Sequence, residues 1–305
     1  HAGKTTAELE ALYGEGSRPV LDEYFAFLEA NELGFWCDDP DAFPPLDLSW
    51  DRPEQVTNAV IDVDAGSTHP WATLLGELDG LGCRALQLRF FDAATLDQVE
   101  AVLEHTRAGR LRSIDLLLRH DPAWTDVDLE GLCLRHQRIS QVFVHSAPED
   151  RVARTPRLGT PLCYRTQVVD SSAHCGHVNP AYFAITVEAF TEAHAYNSCL
   201  NRKIAVDARG GIRNCPAMPR SFGTAGSTPL RRALEQPEFR QAWSIHKDQV
   251  ETCRDCEFRY VCTDCRAFVR DPANPFSKPA RCGYDPYTAT WHEAEPAALA
   301  AAATA

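Results

Sequence analysis

The stretch Asn58-Ala-Val-Ile-Asp-Val63, followed by the segment His69–Leu81 and then Ala85-Leu-Gln-Leu-Arg-Phe-Phe91, is where the fold becomes readable. The two short runs are dominated by Val, Ile, Leu and Phe, and the segment between them repeats apolar residues at helical spacing. The alternation continues outward: helix over Ala94–His105, strand over Ser113–Leu118, helix over Val127–Arg135, strand over Ile139–His145 and a fifth strand over Tyr164–Val169. Strands separated by such helices pair in parallel, because each connection is long enough to return the chain to the same end of the sheet. The predicted class is α/β, as an open or degenerate partial (β/α) barrel, since these strands are too few to close an eight-fold barrel. Pro148–Pro161, rich in Arg, Pro and Gly, predicts an exposed loop.

Upstream, Val20, Leu21, Tyr24, Phe25 and Leu28 recur at helical spacing. Gly34 ends that helix, and Phe35-Trp36-Cys37 reads as a short strand before a turn at Asp38–Asp41. Helix, strand and turn together predict a winged-helix-like segment over residues 1–56. The partial barrel then spans 57–170, and a cysteine-rich domain spans 171–305, ending in a frayed alanine tail, Ala297–Ala305. Within this last zone Lys203–Val206 and Gly211–Arg213 flank a glycine turn and predict a hairpin. Pro229–Ile245 predicts a helix with its proline in the first turn.

Apolar residues make up 44% and charged residues 24% of the 305-residue chain, which is ordinary for a globular protein and leaves enough apolar surface for a sizeable core. No run reaches the roughly eighteen apolar residues of a membrane span, so no membrane partner is expected. The net charge of −13 argues against nucleic acid as a partner. Between Asp22 and Asp64 there are twelve acids and a single base, Arg52. That run is either a solvated face or a surface that attracts a basic peptide. The first residues carry no apolar export segment, which favours the cytoplasm, where thiols stay reduced and open to metals.

Metal chemistry is concentrated in Cys253-Arg-Asp-Cys256-Glu-Phe-Arg-Tyr-Val-Cys262-Thr-Asp-Cys265, followed by Cys282: five cysteines in thirty residues. A CxxC loop folds back so that both sulfurs reach one centre, and thiolates at this density select zinc or iron–sulfur clusters. Cys253, Cys256, Cys262 and Cys265 could hold one tetrahedral zinc, although the five-residue inner gap is short for a zinc ribbon and leaves Cys199, Cys215 and Cys282 unused. Cys37, Cys83, Cys133 and Cys163 are single and far apart, and read as small apolar residues. Asp62 and Asp64 share one face at a strand end and are weighed as catalytic carboxylates against a capping or surface role.

The order Cys199, Gly210-x4-Cys215, Cys253-x2-Cys256-x5-Cys262-x2-Cys265, Cys282 resembles the SPASM domain of radical S-adenosylmethionine peptide-modifying enzymes. It departs from that pattern by one residue, having two rather than three between Cys262 and Cys265. Cys199-Leu-Asn-Arg-Lys203-Ile, Asn214-Cys-Pro216, Cys256 to Phe268, Phe43 to Trp50 and His174-Cys-Gly-His177 resemble, more narrowly, the SPASM-domain peptide maturases of grasp-with-spasm systems. The likeness runs from about Tyr24 to Tyr287. It implies one four-iron four-sulfur cluster on Cys253, Cys256, Cys262 and Cys282, and a second on Cys199, Cys215 and Cys265. Six residues before and after Cys199, where that family often has a further cysteine, stand Ala193 and Ala205. Cys175 or His194 is then the candidate fourth ligand, with His174 and His177 nearby and an open iron as a further option.

The same likeness implies a ribosomally made precursor peptide and an ATP-grasp ligase as partners, with the first segment serving peptide recognition. Radical enzymes of this kind need Cys-x3-Cys-x2-Cys after the first barrel strand, and here that position reads Asp62-Val-Asp64-Ala-Gly66-Ser-Thr-His69. Reductive cleavage of S-adenosylmethionine is therefore not expected. The expectation is a one- or two-cluster maturase or maturation partner, with a zinc-binding scaffold that docks peptide and ligase as the alternative. Whether the chain is itself an enzyme stays open on sequence.

Overall fold

A computed structural model describes residues 3–292 and divides the chain into two units, 1–48 and 49–305. The predicted tail Ala297–Ala305 lies outside the described residues. The first unit holds α1 (Thr6–Tyr13) and α2 (Arg18–Ala30), followed by a 3-10 turn at Pro40–Ala42. Thr5 caps α1 and Glu8 returns the favour, since each side chain accepts the other's backbone N–H. Pro19 lies in the first turn of α2, where its missing N–H costs nothing. Phe35-Trp36-Cys37 is not a strand. No strand exists among the described residues of this unit to pair with it, and an unpaired extended segment is not stabilised in water.

The second unit is built on an eight-stranded sheet. Its strands are β1 (Asn58–Val63), β2 (Ala85–Phe90), β3 (Ser113–Arg119), β4 (Ile139–His145), β5 (Arg151–Arg154), β6 (Pro161–Tyr164), β7 (Lys203–Val206) and β8 (Ile212–Arg213). Their order is β5-β6-β4-β3-β2-β1-β7-β8. The six strands from β6 to β7 run parallel, and the edge strands β5 and β8 are antiparallel. The α/β class with a mostly parallel sheet is thus observed.

Three local expectations are corrected. The fifth parallel strand is Pro161–Tyr164, not Tyr164–Val169, since Leu162 and Tyr164 turn into the core. Pro148–Pro161 is not all loop, because Arg151–Arg154 pairs with β6. Beyond α6 (Val187–Ala195), the helix expected over Pro229–Ile245 is broken into α7 (Leu230–Leu234), α8 (Pro237–Gln241) and a 3-10 turn, because Pro237 cannot continue a helix begun before it.

The helices α3 (Trp71–Gly80), α4 (Leu96–Glu104) and α5 (Asp126–Arg135) follow β1, β2 and β3. Thr95 and Thr125 cap the last two through reciprocal bonds with Gln98 and Asp128. Leu74, Leu78, Val99, Leu103, Leu129 and Leu132 of these helices share one buried cluster with Ile61, Leu88, Leu116 and Val144 of the strands. Each fully buried leucine there contributes roughly 1.5–3 kcal/mol. Strand side chains alternate, so the residues between these point to the other face. That face carries Asp62, Gln87, Arg89, Asp115, Gln141 and His145. One sheet face is therefore apolar and covered by helices, and the other mixes these polar groups with Val60, Leu117 and Phe143.

The expected boundary after residue 170 falls inside this unit. β7, from the cysteine-rich zone, lies directly beside β1. The boundary expected at 56/57 also moves: Val56 is fully buried in the core, Trp50 packs on Tyr196, and the linker carbonyls of Arg52 and Glu54 accept from Arg202. These contacts make 49–56 part of the sheet-bearing unit.

Candidate metal centres

Eight of the twelve cysteines fall into two groups of four, and all twelve are free thiols. The first group follows from the tandem CxxC run. Cys253 opens a 3-10 turn that ends at Cys256, and Thr252 before it has φ +65°, a conformation rare for a β-branched residue. Cys253 acts electrostatically on Cys256, and Cys282 acts on Cys253, Cys256 and Cys262. Burial pushes the Cys262 thiol up to about 12 and raises those of Cys253 and Cys256. Phe258, between the two CxxC pairs, packs on Tyr284 at 5.0 Å and on Phe183 at 5.2 Å, and Tyr284 meets Trp291 at 4.9 Å. The hairpin of β9 (Tyr284–Asp285) and β10 (Thr290–Trp291) so brings aromatic rings against this segment.

The second group is assembled from four separate segments. Cys175 follows a 3-10 turn, Cys199 precedes β7, Cys215 follows β8, and Cys265 closes the second CxxC. All four line one cavity of about 360 Å³, with Gln87 of the sheet's mixed face, His174, His177 and Phe268 also at its wall. Burial pushes Cys215 up to about 12 and Cys265 up to about 11, with the neighbouring Cys199 and Cys175 thiols adding to both shifts. Gly176 makes the close approach possible. Its φ is +87°, and a Cβ there would lie 2.8 Å from Cys265 Sγ. Only a residue without a side chain fits beside Cys175 at this point.

Cys262 and Cys265, three positions apart, thus belong to different groups. Their segment is pinned by residues that the cysteine pattern does not announce. Asn197 is fully enclosed; its amide donates to Asp264 at 2.9 Å, while its carbonyl oxygen accepts from the N–H groups of Cys199 and Leu200. Ser198 Oγ donates to the Cys262 carbonyl at 2.9 Å and accepts from Asp264 N at 3.1 Å. Arg281, next to Cys282, donates to the carbonyls of Ala173 and Cys175. The two groups are therefore tied together through Asp264 and Arg281.

Each group has a lysine. Lys203 Nζ donates to Cys199 Sγ at 3.3 Å, and Lys247 Nζ lies 3.8 Å from Cys253 Sγ and 3.5 Å from Asp264. The pKa of Lys247 is held above its ordinary value: burial pushes it down, but Asp264 and the thiols of Cys262 and Cys253 more than offset that. The buried Lys247 ammonium thus has its counter-charge in Asp264, with thiol sulfur close by.

The remaining sequence candidates sit elsewhere. His194 does not line the cavity: it stacks on Tyr260 at 3.6 Å and donates through Nδ1 to the Phe190 carbonyl at 2.7 Å. Asp62 pairs with Arg89 at 2.6 Å, and Asp64 organises its own turn through Ser67 and Gly66. Cys83 and Cys133 are buried in the apolar core, Cys163 lies on β6, and Cys37 is exposed in the first unit.

A set of three ligand atoms close enough to share one ion occurs, among the described residues, at Glu100, Glu104 and His136. Both carboxylates are already matched: Arg135 grips Glu100 at 2.6 and 2.8 Å, and Arg107 grips Glu104. This is an ion-pair network on α4. Neither cysteine group forms such a set within 4.8 Å. Comparison with known proteins returns no matching family model and no matching curated sequence.

Proposed function

We propose that the protein is a two-cluster iron–sulfur partner in the maturation of a ribosomally made peptide, acting beside an ATP-grasp ligase. The observation that carries this reading is the division of eight cysteines into two groups of four, each with a lysine at a sulfur. Cys253, Cys256, Cys262 and Cys282 would hold one four-iron four-sulfur cluster, and Cys175, Cys199, Cys215 and Cys265 the other. Its place on the cavity wall favours Cys175 over His194 as the fourth ligand, and with it the second site would offer four thiols. Bound clusters would supply one-electron chemistry, at potentials set by charge, hydrogen bonding and solvent access.

The chain's own residues do the rest. Lys203 and Lys247 balance thiolate charge, and Asn197, Ser198 and Arg281 fix the segments that carry the ligands. Phe258, Tyr284 and Trp291 pack on one another beside the tandem CxxC run. The zinc-scaffold alternative would need Cys265 beside Cys262. Its place on the cavity with Cys199 favours clusters instead.

The sheet, with strands β1 to β4 and β6 in sequential parallel order, suits a degenerate partial (β/α) barrel with the SPASM-like segment as its continuation. The acidic first unit is the natural candidate for peptide recognition, and its winged-helix likeness rests on its two helices alone. A cytoplasmic setting agrees with free thiols throughout.

Anaerobic purification with iron, acid-labile sulfide and zinc counted per chain tests the reading. About eight irons and eight sulfides support it. Stoichiometric zinc without sulfide, in protein never exposed to air, would overturn it. The mass of a co-expressed precursor, with ligase and with or without this chain, tests the maturation role.

A further inference from the structure

The two cysteine groups sit in unequal electrostatic surroundings, and the sheet is the source of the difference. Arg89 on β2 is 8% exposed and points to the mixed face. Its Nε donates to Asp62 Oδ1 at 2.6 Å, and its Nη2 is enclosed without a hydrogen-bond partner. Gln87, two residues earlier on the same face, lines the second cavity. Arg89 accordingly interacts electrostatically with Cys175 and Cys215. Lys203 reaches the same group from β7, on the far side of β1.

Arg281 is 5% exposed and comes from the segment of the first group. It lies over the Phe268 ring at 3.9 Å, interacts with Cys265 and Cys175, and has an enclosed Nε without a partner. The second group is thus faced by Arg89, Lys203 and Arg281, with Asp62 paired to Arg89 and Arg266 also at the cavity wall. The first group is faced by Lys247 and Arg266, which are set against Asp264 and Glu257.

Reduction adds one negative charge to a site. Nearby cations and free N–H donors stabilise the reduced form more than the oxidised one. We propose that Arg89, held in place by Asp62, and Arg281 are tuning residues that make the site of Cys175, Cys199, Cys215 and Cys265 the more easily reduced of the two. Were clusters bound at both sites, the second would take up an electron at the higher potential. This rests on the two-cluster reading. The electron itself comes from an external one-electron donor, dithionite in the test.

Full-length reconstituted protein is titrated with dithionite and followed by electron paramagnetic resonance. Two midpoints are expected, and Cys265→Ser assigns the higher to the second site by perturbing that signal. Arg89→Gln lowers the higher midpoint by at least a tenfold fall in the one-electron reduction constant, about 59 mV, and leaves the lower one in place. Arg89→Lys keeps most of the wild-type value. Lys203→Gln, which keeps the Asp62–Arg89 pair intact, shifts the same midpoint in the same direction should Arg89→Gln fail to fold. Equal midpoints, a higher potential at the first site, or a shift confined to the lower midpoint overturns the tuning while leaving two clusters standing. Protein that takes up no sulfide overturns the cluster reading itself.

Discussion

Gly176→Ala tests the contact on which the second group depends. With φ at +87°, an alanine there adopts a left-handed conformation that costs about 1–2 kcal/mol. Its Cβ would also stand 2.8 Å from Cys265 Sγ and 2.8 Å from Phe268 Cδ2. Both neighbours are buried, so neither can swing into solvent, and overpacking of this kind costs about 1–3 kcal/mol more. Gly159 is the matched control: φ is +68°, and nothing lies within 4 Å of an added Cβ. Gly159→Ala should therefore lose only the conformational part, about 1–2 kcal/mol. Urea unfolding of the metal-free protein gives both values. The expected result is an excess of about 1–3 kcal/mol for Gly176→Ala over the control, together with reconstitution to about half the wild-type iron. Equal costs and full iron content would refute the placement of the Cys175–Gly176 segment against Cys265.

The other predictions concern ligands, core and pH. Cys175→Ser should remove or alter one cluster signal, whereas His194→Ala should leave both in place; absorption and paramagnetic resonance spectra decide. Leu116→Ala, at a fully enclosed position between strands and helices, should cost about 2–5 kcal/mol in denaturant unfolding. Asp126 is held below its ordinary 3.8 by bonds from Arg151 and by the Tyr164 hydroxyl. A depressed carboxyl stabilises the fold above its unfolded pKa and loses that contribution as pH falls through the folded value. Asp126→Asn should accordingly flatten the fall in unfolding midpoint on the acid side of 3.8 and leave its neutral-pH slope unchanged.

Thr252 and Gly176 show how differently the two sites were legible. Cys253, Cys256 and Cys262 lie within one short run, so local spacing alone announces a thiolate site. Cys175 is 24 residues from Cys199 and 90 from Cys265, and no local pattern links them. The signal that existed was the Cys-Gly pair at 175–176, since a glycine beside a candidate ligand marks a backbone that must pass close to something. Asn197, Lys203, Lys247 and Arg281 had no such mark. Each is an ordinary polar residue until the fold encloses it beside a sulfur or a ligand-bearing segment.

The β/α alternation from Asn58 to His145 was determined by the sequence itself, because helical and strand periodicity are properties of neighbouring residues. So was the presence of a thiol-rich site at 253–282. Tertiary structure alone decided that β7 inserts beside β1, that Phe35–Cys37 finds no strand partner, and that Cys262 and Cys265 part into different groups. Those outcomes depend on which distant segments meet. Pairing partners, enclosure and counter-charges exist only once the chain has closed on itself, and no window of the sequence contains them.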